Sequence, residues 1–272
     1  MKYETIGEIN VPKIGFGTWR IGGESSANGR ADSKSLAALR SALAMGYSHL
    51  DTAEMYADGH AEELLGQAIR ESGLPRNSLF VTSKVKASHL QYGQVLRACE
   101  ASLRRLGSEY LDLYLIHWPS AGMKLQDTFR ALNKLVEDGR VRHLGVSNFD
   151  LKLLKQAQQV SQSPLLTDQV PYSLADRGYV KNGVLEYCAE NNILLTAYSP
   201  LEIGKLRSNR NLQAVALAHR ATPEQIALAW LVSQPRVITI PMSFDPKHQS
   251  ENLDAADLVL TAEELNELRR IA

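Results

Sequence analysis

The stretch LDLYLIH (111–117) is almost continuously apolar, and the residues after it change period. Over LQDTFRALNKLVED (125–138) the apolar residues recur three and four apart, and at RHLGVS (142–147) a second β-rich run begins. A short apolar run before an amphipathic helix reads as a strand buried on both faces, as in a parallel sheet covered by helices. Outward from this unit the alternation repeats. The strand candidates are KIGFG (13–17), SHLD (48–51), LFVTS (79–83), LLTDQV (165–170), NILLTAY (192–198) and RVITI (236–240). The helical candidates lie at 33–45, 60–71, 91–106, 150–159, 179–190, 223–233 and 248–257. A final helix fits 261–271, with Thr261 as its cap and Glu264 three residues on.

Eight strands, each followed by a helix, predict an α/β fold of the (β/α)8 TIM-barrel type, a single domain over residues 1–272 with an extra C-terminal helix. Residues 3–12, YETIGEINVP, stand outside the alternation and suit an N-terminal β-hairpin. A doubly wound sheet is the rival reading, and it leaves two strand–helix units unexplained. The Gly/Ser-rich and polar stretches at 22–30, 199–210 and 242–250 each come after a strand, so they read as loops of the active face rather than linkers.

Thirty basic and thirty acidic residues cancel, so no basic footprint for nucleic acid is present in the overall charge. Two cysteines, Cys99 and Cys188, are too few for a disulfide framework. The start, MKYETIGEIN, has no apolar segment of a signal peptide, and no run approaches the ~18 apolar residues of a membrane span. A cytoplasmic protein without a membrane partner is expected, as a monomer or weak homo-oligomer.

Four polar residues stand beside these apolar runs. Asp51 ends the second strand, Tyr56 lies in the loop after it, Lys84 comes just after the third strand, and His117 ends the fourth before Trp118–Pro119. In a barrel all four fall at the C-terminal ends of neighbouring strands, where such folds carry their sites. Their types suit one task. A phenol titrates near 10, an adjacent ammonium pulls that value down, and a carboxylate offsets the cost of burying the ammonium. Asp51 would hold Lys84, Lys84 would tune Tyr56, Tyr56 would exchange the proton, and His117 would donate a hydrogen bond to a substrate oxygen. This is machinery for carbonyl reduction, and the hydride must come from a cofactor. The same residues also fit a structural ion pair, a packing tyrosine and a satisfied core histidine, and residue type alone leaves these readings open.

The ordered stretches GFGTW (15–19), DTAEMY (51–56), VTSKV (81–85), LIHWP (115–119), GVSNF (145–149), AYSPL (197–201) and ENL (251–253) resemble the aldo-keto reductase family over nearly the whole chain. The GxGxW at 15–19 is not a dinucleotide fingerprint, because the third glycine is missing. The resemblance implies a barrel using a nicotinamide cofactor, NADPH or NADH, without a metal. It implies Asp51, Tyr56, Lys84 and His117 as a catalytic tetrad, with Tyr56 the general acid in reduction. Ser147, Asn148 and Gln169 match residues that bind the nicotinamide carboxamide, and Tyr198 matches the aromatic stacked on the ring. Ser199, Leu201 and the backbone after them match the pyrophosphate loop. Ser243, Lys247 and His248 fall in the segment facing the ribose, and Glu251 and Asn252 match adenine contacts. Trp19 and Trp118 would line the substrate pocket. On their own, Ser147–Asn148 could equally cap the helix starting near Asp150.

The chain departs from the family in two places. Where members that prefer the 2′-phosphorylated cofactor usually carry a lysine and an arginine, Met242 and His248 stand here. Neither offers the fixed positive charge that a phosphate needs, and Asp245 would repel one. Measurable use of NADH is therefore expected, with Lys247 and Ser243 as the groups able to compensate. The loop after HWP, SAGMKLQD, is short, and the sequence stops at Ala272 just after the last helix. An open site for aldehydes, some ketones and dicarbonyls is expected, with Met55 and Met123 as further linings. The functional alternative is a nicotinamide-binding regulatory or interaction subunit without turnover.

Overall fold

The computed structural model describes residues 2–201 and 208–271. The backbone falls into two compact units, Phe16–Asp168 and Met1–Gly15 with Gln169–Ala272.

The second of these opens with an antiparallel hairpin, β1 (Tyr3–Ile6) and β2 (Ile9–Pro12), registered Ile6 to Ile9 around Gly7. This is the hairpin expected at 3–12. Its strands are anchored by the Lys13 ammonium 2.6 Å from Glu4 and by the Arg236 guanidinium 3.2 Å from the same carboxylate.

The unit Phe16–Asp168 runs through β3 (Phe16–Gly17), α1 (Asp32–Ala44), β4 (His49–Asp51), α2 (His60–Ser72), β5 (Phe80–Val85), α3 (Tyr92–Leu106), β6 (Leu111–Ile116), α4 (Leu125–Glu137), β7 (Val141–Ser147), α5 (Leu151–Val160) and the start of β8 (Leu165–Pro171). Strands β3 to β7 pair in parallel, each with the next in the chain. All six residues of β6 are buried, as expected of a strand covered on both faces. In α2 the buried residues Ala61, Leu64, Leu65 and Ala68 repeat at helical spacing, and Gly73 ends the helix in the left-handed conformation. Gly66 lets α2 approach α3: a Cβ there would stand 2.5 Å from the Leu106 carbonyl oxygen.

In the other unit β8 leads to α6 (Val184–Glu190), β9 (Leu194–Tyr198), α7 (Arg210–Ala218), α8 (Pro223–Val232), β10 (Val237–Thr239), α9 (Pro246–Asp254) and α10 (Ala262–Arg269). Strands β9 and β10 are parallel, and the Ile14 backbone bridges in parallel to Thr239. Thr222 and Gln225 close a capping box on α8, and the box expected at Thr261 and Glu264 closes α10.

Four elements differ from the sequence expectation. β5 extends through Lys84, so the lysine lies inside the strand rather than after it. The predicted helix at 179–190 divides into a 3-10 turn and α6 because Gly183 adopts a left-handed backbone between them. The helix expected from 248 begins at Pro246, behind an Asp245 cap. Helix α7 has no counterpart among the predicted helices, since its start reads as loop; Asn209 caps it by accepting from the N–H groups of Asn211 and Leu212. Among the described residues no helix is long and apolar enough to cross a membrane.

Candidate active site

The parallel register of Phe16–Asp168 brings the four predicted catalytic residues together. Asp51 ends β4 opposite Thr82 of β5, Lys84 pairs with Leu115 of β6, and the His117 N–H donates to the Val85 carbonyl at 2.9 Å. Successive strand ends are thus neighbours although the sequence separates them.

Lys84 is the centre of the cluster and is fully buried. Its ammonium donates to Asp51 Oδ1 at 2.5 Å, to the Thr52 carbonyl at 2.8 Å and to Tyr56 Oη at 3.3 Å. Three donors meet three acceptors, which is what keeps a buried ammonium charged. Burial works against the charge, but Asp51 and then Tyr56 outweigh it and leave the lysine above its ordinary value.

Tyr56 starts a 3-10 turn in the loop after β4, and Ala57, Asp58 and Gly59 then take three successive left-handed conformations. Two of these are not glycine, the kind of backbone strain that persists where surrounding contacts fix it. One such contact is the Ala57 N–H, which donates to the Glu24 carbonyl at 2.9 Å. The half-buried Tyr56 ring sits between Trp19, with centroids 5.2 Å apart, and His117, 5.5 Å apart, both edge-on.

The expected lowering of the Tyr56 pKa is not the net result. Burial pushes the phenol up, Lys84 pulls it down, Asp51 pushes it up again, and the balance lies above the ordinary value. Tyr56 is therefore held as the protonated phenol near neutrality. His117 is buried, and its pKa is lowered to about 3 by burial and then by the Lys84 charge. It is a neutral imidazole, and its Nδ1 has no hydrogen-bond partner.

The turn after β7 holds Ser147 and Asn148. Asn148 takes a left-handed backbone with φ 63°, and its Nδ2 donates to the His117 carbonyl and to Ser147 Oγ, both at 3.0 Å. Asp150, rather than Ser147 or Asn148, caps α5, accepting from the Leu153 N–H at 2.7 Å. Trp19 and Trp118 expose 43 % and 44 % of their surface, and Met55 exposes 38 %. These are large apolar side chains left in water beside a polar cluster.

Sequence reasoning missed Glu54, although it stands inside DTAEMY. Its buried carboxylate accepts from the Lys86 N–H at 2.7 Å and lies 3.1 Å from His89 Nδ1, and its own N–H donates to the Lys84 carbonyl at 3.3 Å. It ties the loop carrying Tyr56 to the strand carrying Lys84. No periodicity marks such a residue.

The remaining candidates lie in the other unit. Gln169 is buried in β8, and Tyr198 ends β9 half-buried. Ser199 has a left-handed backbone and is exposed, and Leu201 is half-buried. The backbone after Leu201, assigned to the pyrophosphate loop, falls at 202–207, outside the described residues. Ser243 Oγ accepts from the Asp245 N–H at 3.0 Å, and Asp245 accepts from the Lys247 N–H at 2.9 Å as the cap of α9. Lys247 lies 3.6 Å from the half-buried Glu251, and His248 3.9 Å from Asp245 in an exposed pair; at these lengths both are of small worth. Asn252 is buried, and the Glu251 carbonyl accepts from Gln225 at 3.1 Å.

A buried Asp51–Lys84 pair, a phenol and a neutral imidazole thus stand together at neighbouring strand ends. The sequence profile of the Aldo/keto reductase family matches residues 13–272, and the chain belongs to that family of oxidoreductases, with its (β/α)8 fold. It is 37 % identical to the methylglyoxal reductase YeaE of Escherichia coli (strain K12) over 265 residues, covering 95 % of this chain and 90 % of that protein. The crystal structure of the thermostable aldo-keto reductase Tm1743 with the inhibitor epalrestat is 42 % identical, with a TM-score of 0.96 and full coverage of both chains. An aldo/keto reductase from Klebsiella pneumoniae solved with NADP and acetate is 39 % identical, with a TM-score of 0.87 over 97 % of this chain and 92 % of that one.

Proposed function

We propose that this protein reduces aldehydes and small dicarbonyls to alcohols with a nicotinamide cofactor, Tyr56 acting as the general acid. The observation that carries the proposal is the Asp51–Lys84–Tyr56 chain, with His117 edge-on to the same phenol. The bound cofactor supplies a hydride. The residues supply the rest. Tyr56, kept protonated by burial, is available to give its proton to a carbonyl oxygen as negative charge develops there. Lys84 stabilises the phenolate left behind, and Asp51 keeps Lys84 charged. His117, a neutral imidazole edge-on to the same phenol, would orient that oxygen through a ring nitrogen. The exposed faces of Trp19, Met55 and Trp118 suit a small substrate and leave water access.

The residues fit the cofactor that the family uses. The Ser147–Asn148 turn presents buried amide and hydroxyl groups for a carboxamide, with Gln169 as a further candidate, and Tyr198 offers an aromatic face. Ser199 and Leu201 are the pyrophosphate candidates, and Glu251 and Asn252 the adenine candidates. The Klebsiella pneumoniae relative holds NADP, and the Escherichia coli relative is a methylglyoxal reductase. For this chain we read NADPH and NADH as both usable. Asp245 already presents a carboxylate at the start of α9, Met242 carries no charge, and Lys247 leans on Glu251. The cytoplasm is the compartment that suits such an enzyme.

The test is turnover of methylglyoxal and of an aromatic aldehyde with each cofactor. Turnover by the wild-type protein supports the enzyme. Cofactor binding with no turnover of any aldehyde, ketone or dicarbonyl would establish the non-catalytic subunit instead.

A further inference from the structure

Among the described residues five acidic side chains are buried: Asp51, Glu54, Glu62, Asp112 and Asp168. Four of them meet a cationic group or a set of donors. Asp51 has Lys84, and Glu62 has Arg105 at 2.6 Å. Asp112 has Arg76 at 2.7 Å and Arg142 at 3.0 Å, and Glu54 has His89 and the Lys86 N–H. Asp168, in β8, is fully buried, and among the described residues no side-chain donor or cation meets either of its carboxyl oxygens. Apart from its own burial, the groups acting on it are the Phe149 backbone N–H, which favours charge, and the Asp150 carboxylate, which opposes it. Neither is a cation, and an isolated buried carboxylate resolves its cost by holding a proton.

Its location gives that proton a use. Phe149 is next to Asn148, whose left-handed backbone aims its amide at the His117 carbonyl. Asp150 precedes α5 and spends its carboxylate capping that helix. A second negative charge under the same turn would repel the cap, whereas a neutral acid offers one acceptor and one donor, as an asparagine does. We propose that Asp168 is carried as an uncharged acid beneath the β7–α5 turn and is a positioning residue for Ser147 and Asn148 in nicotinamide binding. The cofactor half of this statement rests on the function proposed above.

Linkage gives the sign. An acid whose folded-state value is raised binds more protons folded than unfolded, so the fold loses stability as pH rises above about 4. Asp168→Asn cannot ionise and escapes that loss. Without cofactor, Asp168→Asn is expected to melt above the wild type at pH 8 and to lose about 5–10 °C of that advantage by pH 5. NADPH binding by Asp168→Asn should stay within about twofold of wild type at pH 7, while Asp168→Ala weakens it about tenfold. A melting point of Asp168→Asn below the wild type at pH 8, or a difference that does not change with pH, would overturn the neutral acid. Unchanged NADPH affinity in Asp168→Ala would overturn the positioning role. If the wild type binds neither NADPH nor NADH while the melting pattern holds, the cofactor reading and the positioning role fall together, and the neutral acid stands alone.

Discussion

The Lys84 ammonium reaches Tyr56 Oη at 3.3 Å only after meeting two closer acceptors, Asp51 at 2.5 Å and the Thr52 carbonyl at 2.8 Å. The lysine is thus held by the β4 end first and serves the phenol second. Burial raises the Tyr56 pKa, Lys84 pulls it back and Asp51 raises it again, and the balance stays above the ordinary value.

Removing the lysine should separate stability from chemistry. Lys84→Met leaves Asp51 buried without its ammonium, and breaking a buried pair from one side costs about 3–5 kcal/mol. The double variant Asp51→Asn with Lys84→Met removes both charges and should recover most of that stability in thermal melts. It should recover none of the turnover, because the phenol then has no cation to stabilise its conjugate base. In the alcohol-oxidation direction, where Tyr56 must lose its proton, the alkaline rise of kcat in Lys84→Met should move to higher pH.

Tyr56→Phe keeps a ring for Trp19 and His117 to pack against and deletes only the hydroxyl. Reduction of methylglyoxal should fall about 10²- to 10⁴-fold in kcat, the range for losing a positioned general acid. NADPH affinity, read by fluorescence quenching, should stay within about twofold. Near-normal turnover would remove Tyr56 from the role of proton donor.

Acid should weaken the fold through two buried histidines. Burial and then Lys84 take His117 to about 3, and burial takes His49, in β4 beside Thr82, to about 4. Both folded-state values lie below the unfolded value near 6.5, so unfolding takes up protons and stability is lost as pH falls from about 6.5. Asp168 acts with the opposite sign over part of this window, so the difference between variant and wild type is the clean readout. His49→Asn should remove roughly half of the histidine-dependent loss of melting temperature between about pH 6.5 and 4.5. Since His117 stays neutral, kcat/KM for reduction should show no step near pH 6.5.

The strand–helix alternation and the clustering of Asp51, Tyr56, Lys84 and His117 are legible in the sequence because both depend on local signals. Continuous apolar runs such as 111–117 mark buried parallel strands; Asp51 and His117 stand where such runs end, Lys84 lies near the end of β5, and Tyr56 lies in the loop after β4. The features hidden from sequence depend on contacts distant along the chain. Glu54 looks like any acidic loop residue until the Lys86 N–H and His89 meet it. Asp168 looks like a strand polar residue until no cation is found among the groups acting on it. The direction of the Tyr56 pKa is not readable either, because a lysine nearby is visible in sequence whereas the depth of burial is not. Helix α7 escapes for a local reason: it comes after a long polar segment and its signal begins only at the Asn209 cap.

At the start of α9, Asp245 is committed to capping the helix through the Lys247 N–H. Its carboxylate keeps a negative charge at the helix N-terminus, where a phosphate would otherwise be favoured. Ser243 Oγ is engaged by the Asp245 N–H, and the exposed Lys247 is the one cation among the described residues of this segment, with Glu251 3.6 Å away. Wild-type kcat/KM with NADH should therefore lie within about tenfold of that with NADPH, a gap of about 1.4 kcal/mol. Met242→Lys with His248→Arg adds two cations for a 2′-phosphate and should raise the NADPH-to-NADH ratio at least about tenfold, mainly through KM for NADPH. The gain should shrink as salt is raised, because exposed charges are screened over about 10 Å at 0.1 M. An unchanged ratio in the double variant would show that residues outside this segment set the preference.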